Sequence, residues 1–230
     1  MYRFNSDYTE GCHPAILERL TATNMDQTDG YGLDPYCDEA RTKIKEYFGC
    51  PNADVHFLVG GTQTNLTVIC AALRPHQAVY GAVPSHINTH EAGAIEHVGH
   101  RVLPLPSEDG KLTAEQIKAE WIKYDTDPSR EHWAQPKMVY ISQPTEIGSM
   151  YSKKELQDLY AVCKEAGLYL FIDGARLGYV LGAPDNDMTP ADLAANCDVF
   201  YIGGTKCGLL FGEAVVIMND EIKPDFRTIA

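Results

Sequence analysis

Residues 168–178, with the sequence LYLFIDGARLG, decide the fold of this 230-residue chain. The first six are almost all apolar and end in an acid, which is typical of a buried strand in an α/β sheet. The Gly-Ala-Arg that follows places Asp173 at the strand's carboxyl end, where open α/β sheets bind ligands. A carboxylate there is costly without a cation or hydrogen-bond donor. We therefore expect Asp173 to bind a partner from outside the protein; the alternative is a structural Asp that caps the next helix.

Short apolar runs of this kind alternate with amphipathic helical stretches along the chain. Such an alternation is typical of βαβ units around a mostly parallel sheet. Strands are predicted over residues 55–59, 78–82, 101–105, 137–142, 168–173, 199–202 and 214–218. The predicted fold class is α/β, with a mostly parallel, mixed seven-stranded sheet and helices on both faces. Residues 1–50 contain no strong strand and are predicted to form an arm and flanking helices.

Two helices have their starts marked in the sequence. Thr113 with Gln116, and Ser152 with Glu155, have the spacing of capping boxes. In a capping box, each of the two side chains satisfies a free backbone amide near the helix start. Helices are therefore predicted to begin directly after Thr113 and Ser152.

Composition limits the classes of function. The chain has 19 Lys and Arg against 32 Asp and Glu, a formal net charge of −13, which argues against nucleic-acid or anionic-membrane partners because these need clustered cations. Its seven cysteines are scattered without C-x-x-C or metal-ligand spacing, which indicates reduced thiols, a cytoplasmic location and no metal site. Neither a signal peptide nor an apolar run of about 18 residues is present, so no membrane span is predicted.

Three further motifs are predicted to lie near the carboxyl edge of the sheet. The strand VFYIGG runs into Thr205 and Lys206 among small residues that leave room for a ring. A lysine with reduced solvation loses its proton readily and can form a Schiff base. The turn GGTQTN, residues 60–65, precedes a helical stretch, so its amides and the helix dipole can hold a phosphate. His86 follows the next strand, where an imidazole can stack on a ring and relay protons.

Each motif also has an ordinary interpretation: a solvated loop lysine, a common Gly-rich turn and a structural histidine. Their order along the chain, however, resembles that in fold-type I pyridoxal 5′-phosphate (PLP) enzymes, and in particular the threonine aldolase and β-eliminating lyase family. The resemblance is carried by NSDYTEG (5–11), DGYGLDPY (29–36), GGTQTN (60–65), SHINTHEAGA (85–94), FIDGARLG (171–178) and GGTKCG (203–208). These segments span almost the whole chain, and FIDGARLG is the most specific.

The resemblance implies PLP as the cofactor and a PLP-dependent transferase-like large domain over residues 51–220. The implied catalytic residues are Lys206, His86 and Asp173. The implied cofactor-binding residues are Gly61, Thr62, His86, Asp173, Arg176, Thr205 and Lys206. In these roles Lys206 forms the Schiff base, His86 stacks on the pyridine ring and Asp173 holds the ring nitrogen. The implied substrate-side residues are Ser6, Tyr31, Arg176 and Glu146, with Ser6 and Tyr31 as alternative subunit contacts.

The implied reaction is cleavage of a β-hydroxy-α-amino acid, threonine or allo-threonine, to glycine and an aldehyde. A β-eliminating lyase, an aminotransferase and an inactive PLP-binding fragment stay open as alternatives, because the first two can share the same Asp and Lys. Glu146 follows Thr145 where many members of the family have a His, so the base and the threo or allo preference are also open.

The resemblance also makes an expectation about the end of the chain and about assembly. Such enzymes continue for on the order of 100 residues after the lysine, the size of another domain. Residues 221–230 are therefore expected to begin a small C-terminal domain that this chain lacks, and which would supply an Arg for the substrate carboxylate. The expected partners are a small amino-acid substrate and further copies of the chain, as a homodimer or homotetramer.

Overall fold

The computed structural model describes residues 5–230, and one seven-stranded sheet organises them. The strands are β1 Asp54–Leu58, β2 Gln77–Ala82, β3 Arg101–Leu105, β4 Gln135–Ser142, β5 Tyr169–Asp173, β6 Val199–Gly203 and β7 Glu213–Ile217. Each lies within two residues of its predicted bounds, because buried apolar runs between turns give a strong strand signal. Their order across the sheet is β1-β7-β6-β5-β4-β2-β3.

Strands β2 to β6 run parallel to one another, whereas β7 is antiparallel to both β1 and β6. This confirms the predicted mixed sheet. Because β7 is reversed, its amino end lies at the same edge of the sheet as the carboxyl ends of β1, β4, β5 and β6. Segments that are far apart in sequence therefore meet at one edge.

Ten helices flank the sheet in the part of the chain from residue 5 onward. They are α1 Pro14–Thr23, α2 Pro35–Tyr47, α3 Gly61–Ala72, α4 His86–Thr89, α5 Ala94–His97, α6 Ala114–Asp125, α7 Lys153–Glu165, α8 Leu177–Leu181, α9 Pro190–Ala195 and α10 Phe226–Ile229. Within residues 5–230, no helix is long and apolar enough to cross a membrane. The division into residues 1–50, 51–220 and 221–230 stays a prediction.

The core lies on both faces of the sheet. Along β5, Leu170 and Ile172 belong to one buried cluster and Tyr169 and Phe171 to the other, as the two-residue period of a strand requires. Helices α6, α7 and α9 contribute to the first cluster, and α3, α5 and α10 contribute to the second. The predicted arrangement with helices on both faces is confirmed.

One of the two predicted capping boxes forms. At α7, the Ser152 hydroxyl accepts from the Glu155 amide, and the Glu155 carboxylate accepts from the Ser152 amide at 2.8 Å. At α6, the Thr113 hydroxyl accepts from the Gln116 amide at 3.2 Å, but the Gln116 side chain donates to the carbonyl of Pro106 instead. The second half of that prediction was wrong because a glutamine amide also carries a donor, which found another backbone acceptor.

Candidate active site

A cavity lies at the edge of the sheet where these strand ends meet. It is lined by eight of the ten predicted site residues: Gly61, Thr62, His86, Glu146, Asp173, Arg176, Thr205 and Lys206. The two others, Ser6 and Tyr31, lie outside it. The parallel topology explains the convergence, because loops that follow the carboxyl ends of adjacent strands share one edge.

Asp173 ends β5 and is 4% exposed. Its Oδ1 accepts from the amide of Ala175 at 2.9 Å and from the hydroxyl of Tyr201 at 2.6 Å. Its Oδ2 accepts from Asn65 Nδ2 at 3.1 Å and from the hydroxyl of Tyr140. The expectation that its partner comes from outside the protein was therefore incomplete, since four protein donors already hydrogen-bond to the carboxyl group.

Sequence reasoning missed three of these donors as site residues: Asn65, Tyr140 and Tyr201. Asn65 closes the GGTQTN motif, whereas the tyrosines were hidden inside apolar strands. A signal was available, because both strands flank β5 and both tyrosines lie on the same face as Phe171. A buried tyrosine normally needs a partner for its hydroxyl, and Asp173 is the partner here.

The turn before α3 has the properties of an anion site. Gly60, the N-cap of this 12-residue helix, has an extended backbone and provides no side-chain cap. The first amides of a helix have no intrahelical acceptor, and the helix dipole is positive at that end. A Cβ atom on Gly61 would lie 3.2 Å from the hydroxyl of Tyr201, so glycine keeps this wall of the cavity open. The turn therefore fits a phosphate group.

Lys206 lies in a tight turn directly after β6. Strand β6, which precedes Lys206, and strand β4, which contains Tyr140, flank the strand of Asp173 on its two sides. Its backbone carbonyl accepts from the hydroxyl of Tyr179 at 2.7 Å, and its Nζ lies 5.8 Å from the centroid of the Tyr8 ring. Among residues 5–230, the Nζ atom of Lys206 has no hydrogen-bond or ion-pair partner. A lysine held at its backbone but unpaired at its amine is available to an electrophile.

The turn that carries Lys206 is held by Glu213, a further residue that sequence reasoning missed. Glu213 begins β7, is 5% exposed, and accepts from the amide of Gly204 and the hydroxyl of Thr205, both at 3.0 Å. Burial raises the pKa of Glu213 to about 7, although these two hydrogen bonds and the nearby charge of Lys206 oppose the rise. The signal was a single acid at the start of the apolar strand EAVVI.

Glu213 is expected to make stability depend on pH. Because its pKa in the folded chain lies above the ordinary 4.5, folding takes up a proton between these two values. The resulting stability is fully present below pH 4.5 and is lost as the pH rises through about 7, by roughly 2–3 kcal/mol. Denaturant unfolding from pH 5 to 8.5 should show this decline in the wild type and a flatter profile in Glu213→Gln. The exposed control Glu131→Gln should keep the wild-type slope, and equal slopes in all three proteins would contradict the assignment.

Arg176 forms a two-pronged ion pair with Asp7 of the N-terminal arm. Its Nη2 lies 3.0 Å from Asp7 Oδ1, and its Nε bonds Oδ2. The hydrogen bond from Arg176 also lowers the pKa of Asp7. Asp7 lies inside the NSDYTEG segment, but sequence reasoning did not single it out. The predicted contact of Arg176 with cofactor or substrate stays a prediction, and the structure adds the arm as the element that holds this side chain.

The two predicted residues outside the cavity, Ser6 and Tyr31, lie in different surroundings. Ser6 lines a second, neighbouring cavity that also reaches Lys206, and its buried hydroxyl has no hydrogen-bond partner among residues 5–230. Tyr31 is 94% exposed and adopts a left-handed backbone conformation, with φ of 63°. Within a single chain Tyr31 does not contribute to the cavity, so its role as a subunit contact stays a prediction.

His86 and Glu146 lie together in the wall of the cavity. Glu146 Oε1 accepts from the backbone amide of His86 at 2.8 Å and from the hydroxyl of Ser142 at 2.7 Å. The His86 ring is bonded on its other side, where Nδ1 lies 2.7 Å from Glu91 Oε1. That hydrogen bond raises the pKa of His86, while burial opposes the rise. The wall therefore combines a carboxylate and an imidazole, both held in place by neighbouring groups.

Together these features fit one kind of ligand. The uncapped start of α3 suits a phosphate, the carboxyl group of Asp173 suits a ring nitrogen, and the unpaired Nζ of Lys206 suits an aldehyde carbon. PLP carries all three groups. The residues present therefore fit this cofactor.

Comparison with known proteins gives an independent view of the chain. Residues 3–228 match the family model described as beta-eliminating lyase. A low specificity L-threonine aldolase from Pseudomonas sp. (strain NCIMB 10558) is 33% identical over 231 residues, covering 97% of this chain and 64% of that protein. A solved structure of Leishmania major threonine aldolase is 49% identical with a TM-score of 0.96, covering 100% of this chain and 66% of that chain.

More distant solved structures show the fold alone. Aspartate aminotransferase from Rhizobium meliloti matches with a TM-score of 0.73 at 15% identity. The chain spans about two thirds of the length of the Pseudomonas and Leishmania relatives. Because the family model covers nearly the whole sequence, the chain belongs to the beta-eliminating lyase family.

Proposed function

We propose that this chain binds PLP covalently through Lys206 and cleaves a β-hydroxy-α-amino acid, threonine or allo-threonine, to glycine and an aldehyde. The observation that carries the proposal is the unpaired Nζ of Lys206 in the same cavity as the uncapped start of α3 and the carboxylate of Asp173. The names of the relatives supply the reaction class, since both are threonine aldolases.

Each residue has a distinct part in this proposal. Lys206 provides the amine that bonds the aldehyde carbon, and the amides at the start of α3 hold the phosphate. The carboxylate of Asp173 is held in place by four donors and is the group that would contact a protonated ring nitrogen. When bound, PLP supplies a ring that accepts the negative charge developing at the substrate's Cα.

Breaking the Cα–Cβ bond also requires a group that takes the proton of the β-hydroxyl. We assign this task to Glu146, which lines the cavity and is fixed by two donors at Oε1. A carboxylate held in one orientation by neighbouring groups is suited to general base catalysis. This assignment gives a role to the position where many family members have a His.

We also propose that the chain acts in the cytoplasm as a homodimer or homotetramer. Support comes from apolar side chains beside the cavity, since Leu209, Leu210 and Phe211 are 43%, 46% and 64% exposed. An adjoining group of exposed apolar side chains of this kind is typical of an interaction surface. Sedimentation of the full chain at several concentrations tests the assembly, and a monomer at all of them would contradict it.

The reaction is tested by incubating the chain and PLP with threonine, allo-threonine and phenylserine. We expect glycine and the matching aldehyde to appear in equal amounts, measured by an alcohol-dehydrogenase-coupled assay and by amino-acid analysis. A parallel incubation with β-chloroalanine detects pyruvate and ammonia. Pyruvate without aldehyde would identify a β-eliminating lyase, and covalent PLP without either product would identify a binding module.

A further inference from the structure

Glu91 is a buried acid behind the wall of the cavity, inside the SHINTHEAGA segment but not among the predicted site residues. Its side chain is 0% exposed and lies in the segment between α4 and α5. Its Oε1 is 2.7 Å from Nδ1 of His86 and accepts from Asn65 Nδ2 at 2.6 Å. Burying a carboxylate is costly unless it is paired with a cation and hydrogen-bonded.

Among residues 5–230, the only group that can carry a positive charge within ion-pair distance of Glu91 is the imidazole of His86. Asn65 is neutral, and Glu91 Oε2 has no hydrogen-bond partner in the part of the chain from residue 5 to 230. Asn65 Nδ2 also donates to Asp173 Oδ2 at 3.1 Å, so one amide group joins two buried carboxylates. Two neighbouring anions increase the need for a cation, because like charges in a poorly solvated site repel each other.

We propose that Glu91 is a positioning residue, which fixes the ring of His86 in the cavity wall and keeps it protonated at neutral pH. The hydrogen bond at Nδ1 defines the ring orientation, and the buried negative charge stabilises the imidazolium.

The other charged groups around His86 agree with this charge state. The hydrogen bond and charge of Glu91 raise the pKa of His86, and the charge of Asp173 raises it further. Burial and the charge of Lys206 act in the opposite direction but do not reverse the shift. In the same segment as His86, the ring of His90 lies 5.6 Å from the His86 ring. From another segment, Glu146 accepts from the backbone amide of His86.

The consequence rests on the proposed function. A protonated imidazole can donate a proton but cannot accept one. His86 is then a proton donor and a positive charge in the cavity, and Glu146 is left as the acceptor of the β-hydroxyl proton. The roles of two neighbouring side chains are thus separated by a third residue that lies behind one of them.

The test measures His86 itself, in the chain without added PLP, so it does not depend on activity. Histidines labelled with ¹⁵N and ¹³C are titrated by NMR, and the His86 resonances are assigned from the spectrum of His86→Gln. In the wild type we expect His86 to be an imidazolium at pH 7, with its pKa above the ordinary range. In Glu91→Gln, which keeps an acceptor for Nδ1 but removes the charge, we expect that pKa to fall and the ring to be neutral at pH 7.

Glu96→Gln is the matched control, because Glu96 lies on α5 nearby but is exposed; we expect the His86 titration to be unchanged in it. A neutral His86 in the wild type at pH 7, or the same titration in wild type and Glu91→Gln, would overturn the proposal. If Glu91→Gln does not fold by circular dichroism, Glu91→Asp keeps the charge and should keep His86 protonated, and the wild-type measurement alone still decides. If the wild type has no aldolase activity but its His86 is protonated and this protonation depends on Glu91, only the proposed function is contradicted.

Discussion

Lys206→Ala is expected to abolish covalent attachment of PLP and to lower the rate of aldol cleavage on the order of 10³-fold or more. In the structure, Lys206 presents an amine without an ion-pair partner among residues 5–230, at the same sheet edge as Asp173 and the start of α3. Alanine removes the only group at that position that can bond an aldehyde carbon, while the backbone contact of residue 206 to Tyr179 is kept. The fold should therefore survive the change.

Borohydride reduction followed by peptide mass spectrometry measures the attachment directly. In the wild type, we expect the cofactor's mass on the peptide that contains Lys206. Lys118→Ala is a suitable control, because Lys118 is an exposed lysine of α6 that pairs only with Glu165. Covalently retained PLP in Lys206→Ala, or an unmodified Lys206 peptide in the wild type, would refute the assignment of the lysine.

Asp173→Ala is expected to lower the free energy of unfolding by about 3–5 kcal/mol. The substitution leaves the hydroxyls of Tyr140 and Tyr201 and the amide of Asn65 without their common acceptor. The two tyrosines are 0% and 1% exposed, so their hydroxyls have little contact with bulk water. The loss should exceed that of an ordinary surface Asp because it strands several buried donors at once.

Denaturant unfolding monitored by circular dichroism measures this loss. Asp185→Ala, in the exposed loop between α8 and α9, is the control and should stay within about 0.5 kcal/mol of the wild type. The free energy of unfolding of Asp173→Asn should lie between those of Asp173→Ala and the control. The amide keeps one acceptor oxygen, but its NH2 group is itself a donor and faces donors that had bonded the other oxygen. An Asp173→Ala protein as stable as the control would show that the three donors find other partners.

The hydrogen bonds around Asp173 give this residue a structural role in addition to its predicted contact with a ligand. From the sequence, Asp173 was predicted to bind a partner from outside the protein. In the fold it is the acceptor for three elements, since Asn65 comes from α3, Tyr140 from β4 and Tyr201 from β6. Its substitution is therefore expected to reduce stability as well as any binding of a ring nitrogen, and the two effects need separate measurements.

Several features of this protein follow from the sequence by itself. The apolar run ending in Asp173 and the run before Lys206 determine two strands, because a buried strand needs a continuous apolar segment and leaves its polar residues at the ends. The glycines at 60 and 61 mark the open start of α3. Order and spacing of these motifs carried the family resemblance that implies PLP, and they predicted the edge of the sheet at which the cavity lies.

Only the tertiary structure decided which residues support that chemistry. Glu91 and Asn65 lie inside motif segments, but no local pattern assigned them a role. Glu213 and Tyr140 lie in apolar strands. Asp7 reaches Arg176 across 169 residues of sequence. Sequence patterns report local periodicity and strand ends, whereas hydrogen-bond partners of buried charges depend on which segments the sheet brings together. The positions of Lys206 and Asp173 at strand ends could therefore be predicted from the sequence, but the hydrogen-bond network around them is set by the tertiary structure.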